Sequence, residues 1–191
     1  MSARTDILAA VRAARPAETP LPDIPSFSGG PPPGELVARF TEALAAANGT
    51  LVDGRGRDVR DVLAELFPEA PALVTLASAP LAGSHALAPD APAAEMAAVE
   101  VLVAGATLGV AENGAVWLAD PVPRGAAFLA QHVAIVLPAG GLVADLHDAY
   151  AALGPAAAFG VFVAGPSKTA DIEQAMVVGA HGPRSLVVVL T

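Results

Sequence analysis

The sequence predicts an α/β protein with a mainly parallel sheet covered by helices. Helix-like and strand-like segments alternate along the chain, and the strand-like runs are short and continuously apolar. Continuous rather than alternating apolarity is typical of strands that are buried on both faces. The length of 191 residues also fits one domain that buries its core without disulfides or metals.

The N-terminal segment predicts an arm ahead of this domain. Residues 2–14 have the apolar spacing of a short helix. Residues 16–34 are dense in Pro and Gly and contain three consecutive prolines, which is typical of a linker. We therefore expect a helical arm over residues 1–34, followed by the α/β domain over residues 35–191.

The elements of the predicted domain follow in chain order. A helix over residues 35–47 should end at Asn48-Gly49, because both residue types readily adopt the left-handed conformation that stops a helix. The predicted strands are residues 51–52, 72–76, 99–103, 116–118, 133–137, 159–163 and 186–190. The other predicted helices are residues 59–66, 142–153 and 172–178.

Charge and cysteine content exclude several classes of function. The chain has 10 basic and 19 acidic residues, a net charge of −9, whereas phosphate backbones and anionic membranes require clustered Lys and Arg. It contains no cysteine, which excludes disulfides, thiol catalysis, zinc–thiolate sites and cysteine-bound iron–sulfur clusters within this chain. The four histidines are scattered, so we expect neither a metal nor a cofactor.

The sequence also bears on location. The N-terminus lacks the basic and then apolar pattern of a signal peptide, and no uninterrupted apolar run reaches the ~18 residues of a membrane span. We therefore expect a cytoplasmic protein with no membrane or nucleic-acid partner.

The most informative segment for function follows the strand predicted at residues 159–163. The chain passes through Gly165 and a polar turn into a predicted helix, with Thr169 as its N-cap. A helix N-terminus offers free backbone N–H groups, and Ser167, Lys168 and Thr169 could join them to hold a carboxylate or phosphate. The alternative is a capped helix start with a solvated lysine, and two acidic residues in the predicted first turn would repel an anion.

A second candidate lies at Glu112-Asn113-Gly114, between two apolar runs. Asn-Gly is a strong hairpin signal, so the favoured interpretation is a tight turn with an exposed glutamate. The alternative is a partly desolvated Glu112 that acts as base or nucleophile, with Asn113 and Gly114 beside the substrate.

His181 is the third candidate. It follows Gly179, where the predicted helix ends, so it could bond the last helix carbonyls. No His or carboxylate at ligand spacing accompanies it, which argues against a metal site. We place His181 with the candidate substrate-binding residues.

These segments resemble the lactate utilization protein C family, which carries the LUD domain. Gly165-Pro-Ser-Lys-Thr-Ala-Asp-Ile-Glu and Val178-Gly-Ala-His-Gly-Pro are similar to the family signatures GPS-x-TADIE and VxGxHGP. Phe128-Leu-Ala-Gln-His-Val-Ala-Ile-Val resembles the family's strand with its preceding His, and Val110-Ala-Glu-Asn-Gly-Ala resembles its IAETGT turn.

The resemblance implies a fold like that of ribose-5-phosphate isomerase, glucosamine-phosphate deaminase and the CoA-transferase subunits. It also implies a role as the non-cluster subunit of a system that oxidises L-lactate to pyruvate, either binding a small carboxylate or docking the iron–sulfur subunits. Asn113-Gly114-Ala115 lacks the two hydroxyls of the family's turn, which weakens an anion site there.

Two alternatives from other classes stay open. Glu-Asn-Gly also looks like the glutamate turn of CoA-transferases, so one alternative is a CoA-transferase-like or sugar-phosphate enzyme that uses Glu112. The other is a scaffold or regulatory protein without chemistry in a pocket.

Overall fold

The protein is described from a computed structural model that covers residues 2–17, 19–20, 22–23, 32–79, 81, 84–154, 159–170 and 176–191. Its helices are α1 (Ala3–Ala13), α2 (Leu36–Ala46), α3 (Val59–Leu66), α4 (Ala93–Ala97), α5 (Ala126–Leu129) and α6 (Leu146–Leu153), with short 3₁₀ helices at Pro33–Glu35 and Ala139–Gly141. Its strands are β1 (Thr50–Asp53), β2 (Leu73–Thr75), β3 (His85–Ala86), β4 (Val101–Gly105), β5 (Leu108–Val110), β6 (Ala115–Ala119), β7 (His132–Leu137), β8 (Leu142–Val143), β9 (Gly160–Val163), β10 (Lys168–Ala170), β11 (Met176–Val178) and β12 (Ser185–Leu190).

A fully parallel six-stranded sheet forms the centre, in the order β1-β12-β7-β4-β2-β3. Successive side chains of its inner strands enter two apolar clusters on opposite faces, which explains why these runs are continuously apolar. Members of one cluster are Leu102, Ile135 and Val188, and members of the other are Val103, Ala134 and Val189. The predicted α/β class with a mainly parallel sheet is confirmed.

Helices cover both faces. Val62 and Leu63 of α3 pack into the second cluster, and Phe40 and Leu44 of α2 are fully buried in the first. The predicted end of α2 is confirmed, since Asn48 has a φ of 65° and Gly49 N–H donates to the Leu44 carbonyl at 2.8 Å.

A second sheet, in the order β8-β5-β6-β9, accounts for two strands that had been expected in the parallel sheet. Residues 116–118 belong to β6 and residues 160–163 form β9, and these two strands pair antiparallel. The β5–β6 hairpin reverses the chain direction, and β9 is only half-buried along its length. Apolar runs of this length do not distinguish a central strand from the edge of a smaller sheet.

Two predicted helices are partly wrong. Residues 142–143 are strand β8, and α6 begins later because the Asp145 side chain caps it by accepting from Asp148 N–H at 2.9 Å. Residues 176–178 are strand β11 rather than helix, while residues 171–175 lie outside the described part of the chain.

The expected helix N-cap at Thr169 is therefore wrong as well. Thr169 lies in β10 and pairs with Val177 of β11 in an antiparallel ladder. Val177 and Val178 are β-branched, and Thr169 is too, so pairing in a strand suits these side chains better than a helix.

The isolated position of α1 allows a prediction about the arm. No α1 side chain is buried, and Ile7 and Val11 are 62% and 61% exposed. Deleting residues 1–30 should change the free energy of unfolding by less than about 1 kcal/mol, because every residue that the structure describes between 2 and 23 is exposed. Urea unfolding followed by circular dichroism measures this. Deleting residues 1–46 is the control and should abolish folding, since it removes Phe40 and Leu44. An insoluble product of the shorter deletion, or a changed oligomeric state, would contradict the prediction.

Candidate functional site

The two C-terminal segments singled out in the sequence lie side by side. Ser167 N–H donates to the Pro183 carbonyl at 3.0 Å, and Gly179 N–H donates to the Ser167 carbonyl at 2.8 Å. The β10–β11 ladder continues this pairing. Residues 165–169 and 178–183 therefore form one backbone-bonded unit, called here the C-terminal loop pair.

Lys168, the chain's one lysine, contacts the C-terminus of a helix. Its Nζ donates to the carbonyl of Ala47, the C-cap residue of α2, at 2.5 Å. A cation is favoured there because the last carbonyls of a helix lack partners and form the negative end of its dipole. The same field disfavours an anion, so Lys168 caps α2 in this arrangement.

Gly165 explains how the loop pair reaches α2. Its φ is 70°, in the left-handed region, and a Cβ at this position would overlap the Ala47 carbonyl. Glycine is therefore required both for the backbone angle and for the close approach.

The loop pair borders a cavity of about 290 Å³ at the amino ends of β7 and β12. Arg184 N–H donates to the Gln131 carbonyl at 2.8 Å and so joins the two strand starts. The cavity is lined by Leu129, Gln131, Gly179, Ala180, His181, Gly182 and Arg184. Of the sequence-predicted site residues, His181 lines it. Gln131 and Arg184 were not singled out in the sequence, because no motif links residues so far apart.

The predicted hairpin at Asn113-Gly114 is confirmed. Gly114 has a φ of 70°, and its N–H donates to the Val110 carbonyl at 2.9 Å. The Asn113 side-chain oxygen accepts from Ala115 N–H at 3.0 Å. The amide of Asn113 is thus occupied in shaping the turn.

Glu112 is exposed and contacts the start of α6. Its Oε2 accepts from Leu146 N–H at 3.3 Å, and Leu146 is the first residue of that helix. A carboxylate is stabilised there by the positive end of the helix dipole. Glu112 lines neither the cavity described above nor the two described below.

The turn at residues 112–114 and the C-terminal loop pair meet the same helix at different points. A Cβ on Gly114 would lie 2.5 Å from Leu44 N, whereas Gly165 faces Ala47. The structure therefore brings both predicted segments to the C-terminal part of α2 without joining them in one cavity.

Two further cavities lie beside the parallel sheet. One, of about 270 Å³, lies at the carboxyl ends of β2, β4 and β7, where open α/β sheets often bind ligands. Its polar side chains are Ser78, whose Oγ accepts from Gly105 N–H at 3.0 Å, and Thr107. The other, of about 300 Å³, lies between α3 and β2.

Asp53, the last residue of β1, has a lowered pKa. Arg55 donates two side-chain hydrogen bonds and its backbone N–H to the Asp53 carboxylate, and these bonds lower the pKa of Asp53 to about 2. Both side chains are exposed, at 52% and 57%, so we infer that the pair shapes this turn and does not act in acid–base chemistry.

Over the described ranges, no three His, Cys, Asp or Glu side chains are grouped so that they could hold a metal ion. In the same part of the chain, no helix has the length and apolar character that crossing a membrane requires.

Comparison with known proteins gives the family. The model of the LUD domain matches residues 93–191, just over half of the chain. The chain belongs to the LUD-domain family. The matched part of the LUD domain runs from α4 to β12 and includes both the Glu112 turn and the C-terminal loop pair.

The LUD domain also has a neighbour among solved structures. The crystal structure of a DUF162 family protein from Deinococcus radiodurans is similar with a TM-score of 0.67 and 16% sequence identity. The similarity covers 84% of this chain and 98% of that one, and at this identity it shows the fold alone. No curated protein matches the chain.

The capping contact of Lys168 gives a prediction for the LUD domain. Lys168→Met keeps the aliphatic stem but removes the donor to Ala47, so it should lower the free energy of unfolding by about 1 kcal/mol. Arg39→Met is the matched control, because Arg39 is an exposed cation on α2 paired only with exposed Glu42, and it should change stability by less than about 0.5 kcal/mol. Urea unfolding compares the two. Equal, small effects would contradict the capping role.

Proposed function

We propose that this LUD-domain chain is a non-cluster component of a cytoplasmic L-lactate utilization system and binds a small carboxylate such as lactate or pyruvate. Membership of the LUD-domain family supports a role related to lactate utilization. The position and charge of the cavity beside the C-terminal loop pair support the ligand class.

The observation that carries the proposal is the placing of Arg184 and His181 around one cavity of about 290 Å³. A guanidinium binds a carboxylate through two parallel hydrogen bonds, and an imidazole N–H adds a further donor. No described acidic side chain pairs with either residue within ion-pair distance. The positive charge of Arg184 contrasts with the net charge of −9 on the chain as a whole.

The cavity at the carboxyl ends of the strands suits a carboxylate less well. Its lining residues include no charged side chain, and its two hydroxyls are flanked by Ala, Leu, Val and Pro. A carboxylate that enters such a site loses hydration without gaining a counter-charge, which is unfavourable.

The proposal also needs a partner for the redox step. Oxidation of L-lactate to pyruvate releases electrons, and a chain without cysteine cannot hold a cysteine-bound cluster to accept them. We therefore assign the electron transfer to iron–sulfur subunits that dock on this chain, which would present or retain the carboxylate.

Isothermal titration calorimetry with L-lactate, pyruvate and inorganic phosphate tests the proposed site. Arg184→Gln should weaken binding of the preferred ligand about tenfold or more, the value expected for losing a hydrogen bond to a charged group. His181→Asn should weaken it less. The matched control is Arg124→Gln, because Arg124 is an exposed cation that stacks on Phe159 on another part of the surface.

Each outcome decides one part of the proposal. Tighter binding of lactate or pyruvate than of phosphate, lost in Arg184→Gln and retained in the control, supports the carboxylate site. Preferential binding of phosphate contradicts the ligand class. Equal affinities in the wild type and Arg184→Gln contradict the location.

A further inference from the structure

Three polar side chains form a row along the amino edge of the parallel sheet. Ser185 begins β12, His132 begins β7, and Glu100 directly precedes β4. These strands are neighbours, and the register pairs Ser185 with His132 and His132 with Val101. The row is therefore built on three strands joined by two backbone ladders rather than on a flexible loop.

The atoms in this row are placed as a nucleophile, a base and an acid. Ser185 Oγ lies 2.7 Å from His132 Nδ1, within hydrogen-bond distance. His132 Nε2 lies 3.8 Å from Glu100 Oε1. The carboxylate favours the tautomer with its proton on Nε2, which leaves Nδ1 free to accept the serine proton. A nucleophile bonded to a base that a third group orients is the general pattern of an activated hydroxyl.

The surroundings of His132 are partly apolar. Its side chain is 26% exposed, and its ring centroid lies 5.7 Å from that of Phe67. Phe67 also lines the cavity of about 300 Å³ between α3 and β2. The other lining residues are Arg60, Ala64, Pro68, Ala70, Pro71, Ala72, Leu73, Leu81 and Ser84. Most of the side chains that line this cavity are small and apolar.

We propose that Ser185 is an acyl-accepting nucleophile, that His132 is its general base, and that the site hydrolyses esters of small apolar carboxylic acids. Glu100 is a positioning residue that stabilises the protonated imidazole. This activity goes beyond the proposed function and uses other residues, because neither His132 nor Ser185 lines the cavity that contains Arg184 and His181.

The reaction balances without a co-reactant other than water. Ser185 Oγ forms a bond to the ester carbonyl carbon, and its proton passes to His132 Nδ1. The bond from that carbon to the alcohol oxygen breaks, and the alcohol leaves with the proton from His132. Water then attacks the acyl-serine, His132 takes its proton, and the carboxylic acid departs as the serine hydroxyl is restored.

The full-length protein is tested with two probes, p-nitrophenyl acetate and an alkyl fluorophosphonate. We expect turnover of the ester and a single phosphonate adduct, located on Ser185 by peptide mass spectrometry. Ser185→Ala should abolish the adduct, and His132→Gln should slow labelling about 100-fold or more, as expected for loss of a general base. The matched control is Ser78→Ala, an exposed serine at the opposite edge of the sheet, which should react as the wild type does.

Further variants separate chemistry from folding. Ser185→Thr keeps a hydroxyl, so a folded but unlabelled Ser185→Ala beside a labelled Ser185→Thr supports the proposal even if stability changes. Glu100→Gln should slow labelling, and Glu100→Asp should restore part of the rate, because a carboxylate near Nε2 again orients the imidazole. A wild type without adduct on Ser185 overturns the proposal, as does equal labelling of His132→Gln. Arg184→Gln should leave the labelling of Ser185 unchanged, which distinguishes this site from the proposed carboxylate site.

Discussion

The C-terminal turn of α2 carries close backbone contacts on which the second sheet and the C-terminal loop pair both depend. Gly114 in the β5–β6 hairpin faces the backbone of Leu44, and Gly165 faces the carbonyl of Ala47. Backbones approach this closely only where one of them lacks a Cβ. Phe40 and Leu44 bury α2 in the main core. The contacts of Gly114 and Gly165 with α2 therefore position the β5–β6 hairpin and the C-terminal loop pair against the parallel sheet.

The same turn also decides where charge is available for a ligand. The carbonyl end of α2 accepts a hydrogen bond from Lys168, so this cation stabilises the fold. The cavity for which we propose a carboxylate ligand is lined instead by Arg184 and His181, beside the amino ends of β7 and β12. His132 and Ser185, the first residues of β7 and β12, directly follow Gln131 and Arg184 and contact each other. The two sites that we propose therefore use neighbouring residues at the starts of the same two strands.

The sequence predicts best those features that depend on residues close together in the chain. Helix α3 and the end of α2 are predicted correctly, because periodicity and the Asn-Gly stop are local, and continuous apolarity identifies β4, β7 and β12 as central strands. The strand character of β11 is missed, because a short apolar run does not by itself distinguish a helix from a strand, although Val177 and Val178 favour the strand that pairs with β10. Arg184 with Gln131 and Ser185 with His132 are missed too, since parallel pairing alone brings them together.

The contribution of the α2 contacts to stability is measured most directly by adding one Cβ at Gly114 and one at Gly165. Gly56→Ala is the reference, since Gly56 also has a positive φ (75°) but nothing within 4 Å of the added atom, so it should cost about 1–2 kcal/mol from backbone strain alone. Gly114→Ala and Gly165→Ala should each cost about 1–3 kcal/mol more than this reference, because they add overpacking against α2. Urea unfolding of the three variants gives the comparison. Losses equal to that of Gly56→Ala would contradict the account.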